Sequence, residues 1–320
     1  MKKSLYPLQI KALLLWFSLA GLAFCFFQKK LPVLKKENFL MEALLQSMIF
    51  EQGFGYTLFG NKPVSLAEYF LNPSFNTIFF SKKNSFFPIV EAWSLLEKNV
   101  LCHLQGNYIL LKQVDRTKNS STFQVIIINK FSFLQTVTKY LDLFCKLLEK
   151  KIDPKELLDE VILNQRSLWD ILKGNRALYG IILGYGEKNS LAFKRRWELG
   201  QVFSCNCQNS LITPPFYPKP SRGFSSSEEE YRYFEEQQGF FDIQTSSLSP
   251  LNPPCFMIMK DIDIETKLLA KKYKETFKQL IEIYAEGDFW SITLDHLMQK
   301  DASTLNKTSN SCILVKYENN

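Results

Sequence analysis

Histidine is nearly missing from this 320-residue chain, which has only His103 and His296. A histidine-rich metal centre or a two-histidine mechanism would need both to meet, and no H-E-x-x-H pair is present. Seven cysteines, at 25, 102, 145, 205, 207, 255 and 312, include no C-x-x-C pair, which argues against zinc ribbons and thioredoxin-like redox sites. They are also too few to frame a fold of this length with disulfides. Cys102 and His103 are neighbours, and adjacent side chains on a helix or strand diverge, so they make no nucleophilic pair. Cys205 and Cys207 lack two further ligands nearby, and no metal is expected. Phosphate-binding loops are missing as well. Gly53-Phe54-Gly55 and Gly60-Asn61-Lys62-Pro63 complete neither G-x-G-x-x-G nor G-x-x-x-x-G-K-[ST], and Pro63 stands where a helix-opening Ser or Thr would be required. No cofactor is expected. Gly184-Tyr185-Gly186 shares three letters with a potassium-channel filter but lacks the preceding Thr-Val, and reads as a helix stop. No internal repeat is found. The 39 basic and 32 acidic residues leave a charge of +7, but the basic residues are spread along the chain, so no nucleic-acid partner is expected.

What the chain does have is apolar bulk. Hydrophobic residues make up 46 % and there are 28 phenylalanines, which must be covered by a core, a partner or a bilayer. The strongest apolar run is Ala12 to Phe27, sixteen residues without a charge, flanked by Lys11 and by Gln28, Lys29 and Lys30. As a helix it spans about 24 Å, short of the roughly 30 Å hydrocarbon core, although snorkelling lysine stems and Trp16 extend its reach. We read residues 1–30 as an uncleaved signal anchor, giving a single-pass membrane protein. Cleavage after Gly21-Leu22-Ala23 and a buried core helix are the alternatives. Lysines lie on both sides, so the positive-inside rule does not orient the chain.

Behind the anchor, residues 36–204 read as a mainly helical α+β body. Phe39, Ala43, Leu44 and Met48 share one face of a helix ending at Gly53. Ser65, with Glu68 three residues on, reads as a capping box opening a short helix. Ile89, Trp93, Leu96 and Val100 mark another helix from Pro88 to Val100. The period then changes to that of strands in YILLKQV and FQVIIIN, which predicts a hairpin near 107–129. Helix returns over 131–151, and Asp153-Pro154 opens a further one running to Leu172 or Tyr179, before a short helix through Trp197. Residues 205–255 form a Pro-, Ser- and acid-rich loop or insertion around a helix at 226–238. Residues 256–300 supply a strand, a long amphipathic helix over 264–285 and a last helix, and 301–320 are a polar tail. The expected fold is therefore α+β, mainly helical with a small antiparallel β element, behind an N-terminal apolar helix.

Carboxylates offer little chemistry. Asp261, Asp263 and Glu265 alternate after a strand, where solvated charges and a cap at Asp263 outweigh a cation site. Glu228 to Glu236 reads first as a wet helix face and second as a dock for a basic partner.

The stretches GFGYTLFGNKPVS (53–65) and GIILGYGEKNSLAFKR (180–195) resemble short motifs of uncharacterised proteins from chlamydia-like intracellular bacteria, a family with N-terminal hydrophobic segments. The resemblance covers about thirty residues and carries no activity with it. It implies that the two turns form one shared surface, with Tyr56, Asn61, Lys62, Tyr185, Lys188 and Asn189 as candidate binding residues; two separate structural turns would serve equally. The expected function is that of a membrane-anchored binding or interaction protein with a protein partner. Its rivals are a membrane-tethered, hydrolase-like enzyme and a secreted effector released by signal cleavage. A pocket joining residues 53–63 to 184–190 and lined by strained carboxylates would favour the enzyme.

Overall fold

A computed structural model describes residues 36–70, 78–80, 85–101, 104, 106–113, 122–163, 166–203, 219–241, 251–260, 263–285 and 287–298. The expected anchor at 12–27, the parts of the Pro-rich region at 204–218 and 242–250, and the tail lie outside these residues. Among the described residues no helix is long and apolar enough to cross a membrane.

The body is α+β. Its first helix, α1, covers 36–46 and runs into a single π turn, Ser47–Glu51. A short helix α2 (Gly55–Leu58) leads to strand β1 (Val64–Phe70), and β2 (Ile78–Phe80) pairs with β3 (Ser85–Phe87) before helix α3 (Ile89–Asn99). Strands β4 (Tyr108–Lys112) and β5 (Thr122–Asn129) make the expected antiparallel hairpin. Helices α4 (Lys130–Lys139), α5 (Leu141–Leu148), α6 (Pro154–Leu163), α7 (Leu168–Ile171), α8 (Arg176–Ile182) and α9 (Glu187–Phe203) follow. After α10 (Ser227–Gln237), strands β6 (Gln238–Phe241) and β7 (Phe256–Met259) form a ribbon, and α11 (Ile264–Ala285) and α12 (Phe289–Met298) close the chain.

β1 corrects the expected capping box. Residues 64–70 pair antiparallel with 122–128, placing β5 between β1 and β4. Ser65 caps nothing: its hydroxyl donates to the Gly53 carbonyl at 3.1 Å. Glu68 accepts from Gln124 across the ladder at 2.8 Å instead of reaching back to a helix start. Cross-strand pairing to an isoleucine-rich partner outweighs a local cap of about 1 kcal/mol.

Alternation along β1 sends its residues to opposite faces of the sheet. Ala67 and Tyr69, with Val125, Ile127 and Leu110, face a core shared with α1, α3 and α12. Val64, with Ile126 and Ile128, faces a second core built by α4 to α8. Each fully buried isoleucine contributes about 1.5–3 kcal/mol of transfer free energy. A third cluster joins Tyr56 to Tyr273 and Leu280 of α11 and to Phe241 and Phe256 of the ribbon.

The helical spacings hold where a local signal closes them. Ile89, Trp93, Leu96 and Val100 are all buried, and the Asp153 carboxylate accepts from the backbone N–H groups of Lys155 and Glu156. Where one long helix was expected from Pro154 to Leu172 or Tyr179, short ones form over 154–163, 168–171 and 176–182. Ser167 caps α7, Asn175 caps α8, and Lys173 and Gly174 adopt positive φ between them. Tyr140, at φ −111° and ψ 27°, divides α4 from α5 without a side-chain cap.

Candidate functional site

The second core face of the sheet does not stay apolar. Across it, Val64, Leu66 and Glu68 lie beside Ile128, Ile126 and Gln124, and β4 brings Ile109 and Leu111 into the same rows, with Gln113 bonded to Gln124 just beyond. The inward register thus runs from aliphatic to polar, and at its polar end α7, α8, α9 and the β6–β7 ribbon stand away from the sheet. A cleft of about 900 Å³ opens there.

Its walls combine aromatic surface with incompletely used polar atoms. Trp169, Tyr179, Tyr185, Phe193 and Phe256 supply the rings. Gln113 Oε1, Arg176 Nε and Ser190 Oγ are buried and have no hydrogen-bond partner among the described residues, and all three residues line the cleft. An unsatisfied buried polar atom costs about 1–3 kcal/mol, and three of the residues lining this cleft carry one. Arg176 is the centre of the group. Its guanidinium carbon lies 3.8 Å from the centroid of the Trp197 ring and 5.1 Å from that of Trp169. Burial pulls its pKa down. No carboxylate among the described residues pairs with it, and the two indole faces are its charge partners. Ser190 reaches the wall because Gly180 lies opposite, where a Cβ would stand 2.6 Å from its Oγ.

A smaller chamber of about 230 Å³ shares Leu66, Leu183, Tyr185 and Cys255 with the cleft and holds Lys62 on its wall. Here the two glycine-bearing turns meet. Gly184 has φ +80°, and a Cβ at that position would press on Pro63 Cδ at 3.1 Å and Lys62 Cγ at 3.3 Å. Glycine is what lets the turns close. The Tyr273 hydroxyl donates to the Gly184 carbonyl at 2.6 Å and locks them.

The candidate residues then divide. Lys62 is buried, with its amine donating to Ser65 Oγ at 3.0 Å. Burial pulls its pKa down to about 7. Tyr185 is half-buried, stacked on Phe256 with centroids 4.9 Å apart, and its ring lies 5.7 Å from Lys62 Nζ. Burial first, then the nearby Cys255 thiol, push the Tyr185 phenol up to about 12. Asn189 is buried and donates to the Tyr185 carbonyl at 3.0 Å and to Thr266 Oγ1 at 2.9 Å, so it serves the joint between turn and α11. Tyr56 is fully buried beside Tyr273, 5.9 Å between centroids, with no hydrogen-bond partner for its hydroxyl among the described residues. Asn61 is exposed, its carbonyl accepting from Lys272 at 3.4 Å. Lys188 is exposed and pairs with Asp263 at 3.8 Å. Asp263 also caps α11 through the Thr266 N–H. The strongly shifted groups at the joint are thus an amine and phenols, where a carboxylate was the enzyme signature sought.

Arg176, Gln113, Ser190 and Ser65 were not among the candidates. Arg176 sits on a helix whose boundaries local spacing misplaces. The glutamines did leave a trace: in Ile109-Leu111-Gln113 and Ile128-Ile126-Gln124 an apolar inward register ends in a polar residue. Among the described residues no group of three metal-ligating side chains converges. No family model, curated protein or solved structure matches the chain.

Proposed function

We propose that this protein is a membrane-anchored binding protein whose cleft takes a small amphipathic molecule with a flat apolar body and an anionic or acceptor head directed at Arg176. The carrying observation is that three residues with orphaned buried polar atoms line one aromatic-walled cleft. A ligand oxygen accepting from Arg176 Nε and a ligand donor facing Gln113 Oε1 would complete them, while the rings cover its apolar part. Residues 12–27 hold the body at the bilayer.

Equilibrium dialysis of the full-length protein with 1-naphthoate and with uncharged naphthalene tests the cleft. Naphthoate should bind at least tenfold more tightly, and Arg176→Leu should abolish the preference, in keeping with about 1.5–3 kcal/mol for a charge-assisted hydrogen bond. Equal affinity for both probes would overturn the reading. Fractionation with a carbonate wash tests the anchor: full-length protein should stay with the membrane and a version lacking residues 1–30 should not.

A further inference from the structure

Lys62 has a use that ligand binding by the larger cleft does not require. Its side chain is only 5 % exposed, yet it forms part of the wall of the smaller chamber. Among the described residues the only hydrogen-bond partner of its nitrogen is Ser65 Oγ, and no carboxylate pairs with it. Ser65 is itself committed: its proton goes to the Gly53 carbonyl, and its lone pairs face Lys62 Nζ and Thr57 Oγ1, the latter at 2.8 Å. Ser65 can therefore receive one N–H from Lys62 but offers no base to take its proton away. One accepted N–H suits a neutral amine, which needs no counter-ion and keeps a lone pair. An ammonium would bury a charge with no counter-ion and only the Tyr185 ring, 5.7 Å away, to face it. The geometry is that of a desolvated, immobilised amine beside a small void that shares Leu66, Leu183, Tyr185 and Cys255 with a larger aromatic one.

We propose that Lys62 is a covalent capture site for an aldehyde or ketone, which it binds as an imine with the carbonyl end in the small chamber and the rest of the molecule in the cleft. The amine nitrogen attacks the carbonyl carbon to give a carbinolamine. Loss of the oxygen as water, with both amine protons ending on it, leaves a C=N bond, and hydrolysis reverses the step. No oxidant or reductant is consumed. The titratable groups around the amine are Glu51, Tyr185 and Cys255 on the chamber wall, with Tyr273 and Lys272 of α11 against the two turns. None of them is within bonding distance of Nζ. The assignment does not depend on the anionic-ligand reading, since it concerns a different residue and a different bond.

The test is reductive trapping. Full-length protein is incubated with benzaldehyde and cyanoborohydride at pH 7, digested, and the modified lysines are located by mass spectrometry. Lys62 should acquire a benzyl group at least tenfold faster than the exposed Lys188 and Lys271. Its rate should level off above pH 7 to 8, while theirs keep rising, because burial has already freed its lone pair. A hemithioacetal at Cys255 is not fixed by the reductant and so does not confuse the readout. Lys62 remaining unmodified, or modified no faster than Lys188, would overturn the proposal and leave it as a buried cross-link to Ser65. The measurement uses the unaltered chain, so no variant has to fold.

Discussion

Two sets of charged side chains in this molecule are finished to different degrees. At one, Glu230 is 1 % exposed in its side chain and fully used. Its carboxylate accepts from Arg195 Nε and Nη2 at 2.8 and 2.6 Å and from the Ser221 N–H and hydroxyl at 2.9 and 2.6 Å. Arg195 spends a further N–H on the Lys219 carbonyl. At the other, Arg176 has two indole faces and an idle Nε, and Lys62 has one serine. The first site ties α9 to α10 and to the segment before it. The second is left open toward a cleft. A buried charge that is paired on every side holds a fold together, whereas one with unused valence is strained unless something else arrives.

Breaking the closed site should have the larger effect. Glu230→Ala leaves Arg195 partly buried without its counter-ion and should cost about 3–5 kcal/mol in chemical denaturation. Burial alone would raise the Glu230 pKa, but the Arg195 guanidinium and the Ser221 donors hold it down at about 2. Its folded value lies below its unfolded one, so its contribution is present above about pH 5 and should fade as pH falls toward 2. Glu230→Gln should flatten that acid limb.

The open site should respond with the opposite sign. Lys62→Met removes a group whose folded pKa lies below its unfolded value. The unfolded chain holds more protons between about pH 7 and 10.5, so wild-type stability rises through that window. The substitution should therefore stabilise by roughly 3 kcal/mol at pH 7 and by progressively less toward pH 10. A loss of stability at pH 7 would mean that the serine contact outweighs desolvation. Tyr56→Phe should stabilise by about 1 kcal/mol, because it deletes a buried hydroxyl with no partner among the described residues. Smallest of all, Arg176→Leu should shift stability by less than about 1 kcal/mol, since only its ring contacts are lost. Its cost belongs to binding.

The candidate site was half legible. Lys62 and Tyr185 were candidates because they sit in the two turns that carry the resemblance, and the structure brings those turns together at Gly184. Nothing local distinguishes Lys62, which the fold buries, from Lys188, which it leaves exposed, because the difference is made by the packing of α11 and Tyr185. Arg176 was hidden for a related reason. Its partners, Trp169 and Trp197, belong to α7 and α9, and only tertiary packing places one on each side of it.

What the sequence by itself determined is what short-range physics closes: the face of α3, the Asp153 and Asp263 caps, the β4–β5 hairpin and the stop at Gly184-Tyr185-Gly186. Each depends on residues a few positions apart, whose spacing sets side-chain direction or backbone angle. Only the tertiary structure decided that residues 64–70 are a strand, that the helix expected after Pro154 is broken, and that one lysine is buried beside a small chamber while one arginine lies against two indoles beside a cleft. Strand pairing and desolvation depend on partners far along the chain, and a residue's surroundings in space are not written next to it in sequence.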